Sequence, residues 1–205
     1  MNVFSLVNHH PTMIEPHWHD HFELIYVLHG DVTLHIGSTT YQTTSGDLIF
    51  VNSGEIHAAF THSRLHKAVV HAILFHPSMI YSASSKSEYT APYLSGKSII
   101  ATKIHHETLE YKPLMDTVLK LLNEFKHKHV GYKIALNACC QLLFTYLTRG
   151  YKVKTKKTRK SQLKAARFKE LLILIEQSSA ERIGLKEAAS MVHMSPYHFC
   201  KTFKQ

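Results

Sequence analysis

The sequence predicts an α+β chain: an N-terminal jelly-roll β-barrel with a helical pair, followed by a linker and a small all-α unit. Three observations predict it. Short β-branched and aromatic runs separated by turn residues fill residues 22–75, a pattern of closely spaced strands. Past Thr108 the apolar spacing changes to i, i+3, i+4, which is helical. The charge is then split, because residues 1–150 hold 11 Lys+Arg and 11 Asp+Glu, whereas residues 151–205 hold 13 and four. The whole formal charge of +9 therefore sits in the last quarter of the chain.

The expected strands are FELIYVL (22–28), VTLHI (32–36), TTYQT (39–43), DLIFV (47–51) and KAVVHAILF (67–75). His29-Gly30-Asp31, Ile36-Gly37-Ser38, Ser45-Gly46-Asp47 and Asn52-Ser53-Gly54 supply the turns between them. Residues 82–104 read as a polar surface loop with room for one more strand. Two helices follow. Residues 113–126 put Leu114, Val118, Leu121, Leu122 and Phe125 on one face; residues 132–149 do the same with Ala135, Ala138, Cys139, Leu142, Leu143 and Tyr146. Such stripes serve either as core packed on the barrel or as the seam of a homodimer through 113–149. Residues 151–163 read as a basic linker, and residues 164–177 as a helix with Phe168, Leu171, Leu172 and Ile175 inward. The expected domains are thus 1–104 (barrel), 105–150 (helix pair), 151–163 (linker) and 164–205 (basic helical unit).

Composition narrows the function classes. Hydrophobic residues make up 44% and charged residues 19%, the balance of an ordinary soluble globular protein. No apolar run reaches the ~20 residues of a membrane-spanning helix, and the opening MNVFSLVNHHP lacks the basic flank and apolar core of a signal peptide. Cys139, Cys140 and Cys200 are odd in number and form no CxxC, so the expectation is a reducing, cytoplasmic setting. A small basic unit is the electrostatic footprint of a polyanion binder, most commonly double-stranded DNA.

Histidine runs opposite to the basic charge, with 16 of 18 before residue 151. His17-Trp18-His19-Asp20-His21-Phe22-Glu23 has the spacing H-x-H-x3-E, with Gly30 closing the motif. Gly46 to His57 reads G-x5-N-S-G-x2-H. Alternate residues of a strand share a face, so His17, His19, His21 and Glu23 can point one way while His57 arrives from a neighbouring strand. Three imidazoles and a carboxylate (His17, His19, His57 and Glu23) suit a first-row divalent metal such as zinc, iron, manganese or nickel. The same side chains suit hydrogen bonding in a metal-free pocket. The two segments resemble the paired motifs of the cupin superfamily, except that Asn52 stands where proline is usual and Thr61 where asparagine is usual.

At the basic end, Leu185, Ala188, Ala189 and Val192 outline a short helix, and Val192-His193-Met194 a tight turn. Ser195 is a good N-cap and Pro196 fits the first helical position, and Phe199 and Phe203 are spaced to anchor a second helix. This is a helix-turn-helix with a reading helix sized for the major groove. S-P-Y-H-F-x-K-x-F-K resembles the first helix-turn-helix of the AraC/XylS family. HWHDHFELIYVLHG and GDLIFVNSGEIH resemble that family's cupin sensor segments.

The resemblance implies a transcription regulator, not an enzyme, that senses a small-molecule effector in the barrel. His17, Trp18, His19, His21, Glu23, Tyr26 and His57 would line the effector pocket, a sugar or small aromatic would suit them, and residues 1–16 would form an arm able to close over it. Tyr197, Cys200 and Lys201 would meet base edges, with Ser195 and Lys204 on phosphate. No cofactor is required by this reading, although a divalent metal on His17, His19, Glu23 and His57 is compatible with it. Gly184 departs from the family's hydroxyl N-cap, and Ala188 from its larger apolar residue. The family carries a second helix-turn-helix, so ending at Gln205 implies a truncated reader with impaired operator binding. The alternative is a metal-dependent cupin enzyme of the dioxygenase or isomerase type, which leaves the basic unit without a purpose.

Overall fold

A computed structural model describes residues 1–8, 10–61, 67–80, 90–94, 97–154, 171 and 183–203, with the side chains of 94, 154 and 201–203 excepted. The chain divides into two compact units, Met1–Thr155 and Lys156–Gln205.

Among the described residues, the first unit has eleven strands. In chain order β1 is Asn2–Val7, β2 Thr12–His17, β3 Phe22–His29, β4 Val32–Ile36, β5 Thr39–Thr43, β6 Leu48–Val51, β7 His57–Phe60, β8 Val69–Phe75, β9 Ser98–Ile100, β10 Lys103–Ile104 and β11 Lys152–Lys154. They form a five-stranded sheet ordered β1-β8-β3-β6-β10, a four-stranded sheet ordered β2-β7-β4-β5, and a β9–β11 pair. Every pairing is antiparallel. This is the double-stranded β-helix, or cupin, architecture.

Side-chain parity explains why the central strands are apolar almost throughout. Ile25 and Val27 on β3, Ile49 and Val51 on β6, and Val70 on β8 meet Val32, Leu34 and Ile36 of β4 and Ala59 of β7 between the sheets. The alternate residues Phe22, Leu24, Leu48, Phe50, Ile73 and Phe75 turn the other way, into a second core shared with two helices. A sheet covered on both faces has no solvent-facing row to make polar.

Those helices are α2 (Tyr111–His127) and α3 (Tyr132–Gly150), preceded by the short α1 (Ala91–Leu94). α2 buries Leu114, Thr117, Val118 and Leu121. It ends at Lys128, which adopts a left-handed φ of 51° and donates its N–H to Glu124 O. α3 buries Leu136, Cys139, Cys140, Leu143, Phe144 and Leu147. Burial in this layer pushes the Cys140 thiol up to about 12, which leaves it inert as a nucleophile. Tyr151 closes the layer, its hydroxyl donating to His105 O at 2.8 Å and pairing with Thr108 Oγ1.

Several sequence expectations change here. Residues 1–16 are not a free arm, because β1 pairs with β8 and β2 with β7. The α3 stripe is turned by about one residue, so Ala138 and Leu142 face outward while Leu136, Cys140, Phe144 and Leu147 face in. The linker begins later than residue 151, since Lys152–Lys154 pair with Ser98–Ile100. The region expected to be loop carries α1, β9 and β10. Barrel and helix pair fall in one unit rather than in two domains. Of the expected helix 164–177, only Leu171 lies within the described residues, where it is buried.

In the second unit, α4 (Leu185–Met191) and α5 (Pro196–Phe203) are joined by Val192–Ser195. Ala188, Ala189, Val192, Phe199 and Leu171 are buried together. His193 takes a left-handed φ of 55° in the turn, and Ser195 Oγ accepts from His198 N at 3.3 Å as the α5 N-cap. Gly184 caps α4 with no side-chain bond.

Gly30 shows why the first motif closes on glycine. Its φ is +80°, and an added Cβ would meet Lys67 O at 2.7 Å and Ala68 Cα at 2.9 Å. Gly37 has φ +58° with nothing within 4 Å. Gly37→Ala should therefore cost about 1 kcal/mol, the left-handed penalty alone. Gly30→Ala adds backbone overlap and should cost about 3 kcal/mol. Urea unfolding followed by circular dichroism measures both, and equal losses would contradict the close approach.

Candidate functional site

The register of two strands brings the site together. β2 ends at His17, whose partner across the ladder is His57, the first residue of β7. A β-bulge between Ile14 and His17 sets that pairing. Glu23 stands second on β3, on the interior face with Ile25 and Val27. His19 lies in the connection between β2 and β3.

The ligand atoms of His17, His19, Glu23 and His57 all lie within 4.8 Å of one another. Among the described residues this is the one such group of three or more metal-ligating side chains. Glu23 is 2% exposed; its Oε2 is 2.9 Å from His19 Nε2 and 2.8 Å from His57 Nε2. The His17 and His57 rings are 4.3 Å apart between centroids. His17 is exposed and His57 buried, so the group is open on the His17 side.

Each imidazole is held from behind. Nδ1 of His17 is 2.8 Å from Glu15 O, that of His57 2.9 Å from Glu55 O, and that of His19 3.2 Å from His21 O. A carbonyl only accepts, so each Nδ1 carries the proton and each neutral ring presents a lone pair at Nε2. This is the outer-shell arrangement that orients metal-ligating histidines. It also sets lone pairs against the Glu23 carboxylate, which is repulsive unless positive charge lies among them. A proton or a cation would supply that charge. Burial pulls the His57 imidazole down, but the Glu23 carboxylate more than offsets it, and the net shift is upward. Burial would raise Glu23, but the hydrogen bond to His19 and the close approach and charge of His57 and His19 override it and hold it at about 2. His57 Nε2 is close to Glu23 yet out of line for a hydrogen bond, so it remains a buried nitrogen without a hydrogen-bond partner. Nitrogen and oxygen donors converging in this way fit a divalent cation.

The other pocket residues fall differently. His21 stands 5.8 Å from the His19 ring and 5.4 Å from His76, outside the four-ligand group. Burial lowers its pKa, and His19 and His76 lower it further. Trp18, between His17 and His19 in the sequence, is half-buried. Tyr26 is corrected by strand parity: it lies three residues from Glu23 and packs with Phe22 and Leu24 on the helix-facing side. In the second unit Tyr197 is 78% exposed and Cys200 half-buried. The side chains of Lys201 and Lys204 lie outside the described residues.

The sequence marks a turn at Asn52-Ser53-Gly54 but not its role in holding the site. Gly54 N donates to His19 O at 2.9 Å, Ser53 Oγ to Asp20 O at 2.9 Å, and Glu55 O receives His57. One turn thus positions two of the ligands.

A double-stranded β-helix with this histidine–glutamate group defines a cupin-class sensor or catalytic barrel. The family assignment is more specific. The AraC-like ligand binding domain family matches residues 7–143, over half of the chain, and the chain belongs to it. It is 23% identical over 190 residues to the "Uncharacterized HTH-type transcriptional regulator YdeC" of Bacillus subtilis (strain 168), covering 92% of this chain and 64% of that protein. The chain therefore spans somewhat less than two thirds of that relative's length. Solved structures similar to it include a Cupin 2 conserved barrel domain protein from Salinispora arenicola, 13% identical, covering 46% of this chain and 69% of that one at a TM-score of 0.32. A double-stranded β-helix protein from Klebsiella pneumoniae is 21% identical, covering 35% of this chain and 64% of that one at a TM-score of 0.32. Likeness at this level carries no argument about chemistry.

Purified without a histidine tag, the chain should take up about one equivalent of zinc by equilibrium dialysis. Glu23→Gln and His57→Ala should each weaken uptake at least tenfold, since each removes a ligand from a tetrad. Uptake indifferent to both substitutions would place zinc elsewhere.

Proposed function

We propose that this chain is an effector-responsive transcription regulator, with the His17–His19–Glu23–His57 pocket as sensor and the α4–α5 unit as DNA reader. The observation that carries this reading is the pairing, in one chain, of an AraC-like ligand binding domain with a two-helix unit whose second helix is capped by Ser195 and which lies in residues 151–205, the quarter of the chain that holds the whole net positive charge. A second helix that starts on Ser195 and Pro196, buries Phe199 and exposes Tyr197 has the form of a helix-turn-helix reading helix. Tyr197, Cys200 and Lys201 meet base edges, and Ser195 and Lys204 address phosphate. Cysteine is a poor hydrogen-bonding reader, so discrimination at Cys200 is weak.

In the sensor, His17, Trp18, His19, His21 and His57 face a small polar effector around Glu23. His17, His19, Glu23 and His57 are the residues that would hold a divalent cation, which would supply a Lewis-acidic anchor for an oxygen-bearing effector. The histidines orient it through their fixed Nδ1–H bonds. The enzyme alternative uses the same four ligands but leaves the basic unit without a role. The relative's regulator name and the setting of the charge favour the regulator.

The chain works as a homodimer through its helix layer. The turn of α3 leaves Ile134 and Leu142, eight residues apart on one ridge with exposed Ala138 between them, 78% and 45% exposed; Leu119 of α2 is 52% exposed. A second copy seated on this ridge would cover it. Light scattering at micromolar concentration should give twice the chain mass. Leu142→Glu should return it to one chain mass, and a wild-type monomer would contradict the seam.

DNA binding is tested by fluorescence anisotropy on duplex from the promoter of the adjacent transcription unit. Lys201→Ala should lower the slope of log K against log salt by about one. Tyr197→Ala should weaken the promoter more than unrelated duplex. Binding without salt dependence, or none at low salt, would overturn the reading.

A further inference from the structure

The turn that positions two sensor ligands also holds the strand pair by which the chain leaves the first unit. β6 and β10 pair with Leu48 opposite Ile104 and Ile49 opposite Lys103, and Phe50 N continues the ladder to Thr102 O at 2.8 Å. In that register residue 52 falls opposite Ile100. The Asn52 main chain has already turned away, its N–H taken by Glu55 Oε2 at 3.2 Å. Its carboxamide takes the place of main chain instead. Nδ2 donates to Ile100 O at 3.0 Å, and Oδ1 accepts from Ile100 N at 2.9 Å. Nδ2 also donates to Glu55 Oε2 at 3.1 Å. Asn52 is 7% exposed, so these bonds are sheltered from water.

Ile100 belongs to β9, and across β9 lies β11, with Lys152 opposite Ile100 and Ala101 N donating to Tyr151 O at 2.8 Å. β11 is the last element of the first unit, and the chain passes from it at Thr155 into the second. A continuous set of bonds therefore runs from His57 Nδ1 to Glu55, from the Glu55 carboxylate to Asn52, from Asn52 to Ile100, and from β9 to β11. His19 joins the same turn through Gly54.

We propose that Asn52 is a positioning residue that couples occupancy of the histidine–glutamate pocket to the β9–β11 pair, so that a filled pocket tightens the strand from which the chain enters its second unit. This rests on the sensor reading above and names its regulation. Filling the pocket fixes His57 and His19, which fixes the Asn52–Glu55 turn and the carboxamide that holds Ile100. A proline at position 52 would have neither the main-chain donor for Glu55 nor the carboxamide for Ile100. A barrel with proline there lacks this connection.

The test is amide hydrogen exchange on the whole chain, read in β9, β11, β2 and β7, with zinc alone as the added ligand. In the wild type, zinc should slow exchange at Lys152–Lys154 at least fivefold. In Asn52→Ala, zinc should bind with affinity within threefold and protect β2 and β7 as before, while its effect on β11 drops below twofold. Asn52→Asp, which keeps the acceptor for Ile100 N and loses both donors, serves if the alanine variant does not fold. Equal zinc protection of β11 with and without Asn52 would overturn the proposal, as would protection of β2 and β7 without β11 in the wild type. A metal-free cycle decides the matter independently of zinc uptake. His57→Ala should speed β11 exchange at least fivefold in the wild-type background and less than twofold beside Asn52→Ala; additive effects would overturn the coupling. Failure to take up zinc would count against the cation reading of the pocket and leave this cycle to decide the relay.

Discussion

Everything in the first unit is arranged around one buried carboxylate. An ionised side chain at 2% exposure is tolerated in a protein interior only when donors or positive charge surround it. Glu23 is surrounded by three imidazoles, two of them within 2.9 Å. The rings are there because each Nδ1 is tied to a carbonyl whose position the strand register fixes. The charge on Glu23, the tautomers of the histidines and the pairing of β2 with β7 are therefore one arrangement. A proton or a cation can satisfy it, and the choice between them is a means by which a ligand can be felt.

The layers outside the site follow from the same strands. β3 carries Glu23 and Ile25 inward and Phe22 and Leu24 outward, so the strand that presents the carboxylate also anchors the helix pair. Displacement of β3 would disturb both cores, which are packed at interior density and resist continuous deformation. The softer connection is at the sheet edge, where an asparagine side chain rather than main chain holds β9. Polar bonds at an edge yield more readily than a packed core does, and that is where a small change in the pocket can reach the end of the unit.

The degree to which the architecture was legible varied with local chemistry. β4 and β5 are read to the residue because Gly37-Ser38 marks the turn and the flanking residues alternate. β1, β2 and β7 escaped notice. β1 is an edge strand with Phe4 outward, β2 contains Pro16, and β7 is HAAF with two weak strand formers. α3 is apolar over so much of its circumference that two faces about 100° apart fit its sequence, and packing chose the one with Leu136 and Phe144. The four ligands were legible from the motif spacing, although the single strand expected for His17, His19, His21 and Glu23 is broken: His17 ends β2, His19 and His21 lie in the connection, Glu23 is on β3, and His21 falls outside the group. Alternation within β3 turns Tyr26, an odd number of residues from Glu23, to the helix-facing side. The Asn52–Ile100 pairing was not legible, since a carboxamide standing in for a strand leaves no periodicity.

The central claim is that the pocket and the reader act on each other. Its most direct measurement is the affinity of the chain for labelled promoter duplex, by anisotropy, with and without zinc and a low-molecular-mass cell extract. The same titrations are repeated on His57→Ala. The account predicts that one of these additions shifts the dissociation constant at least fivefold in the wild type and less than twofold in His57→Ala. A shift of the same size in both proteins, or none in the wild type, would contradict it.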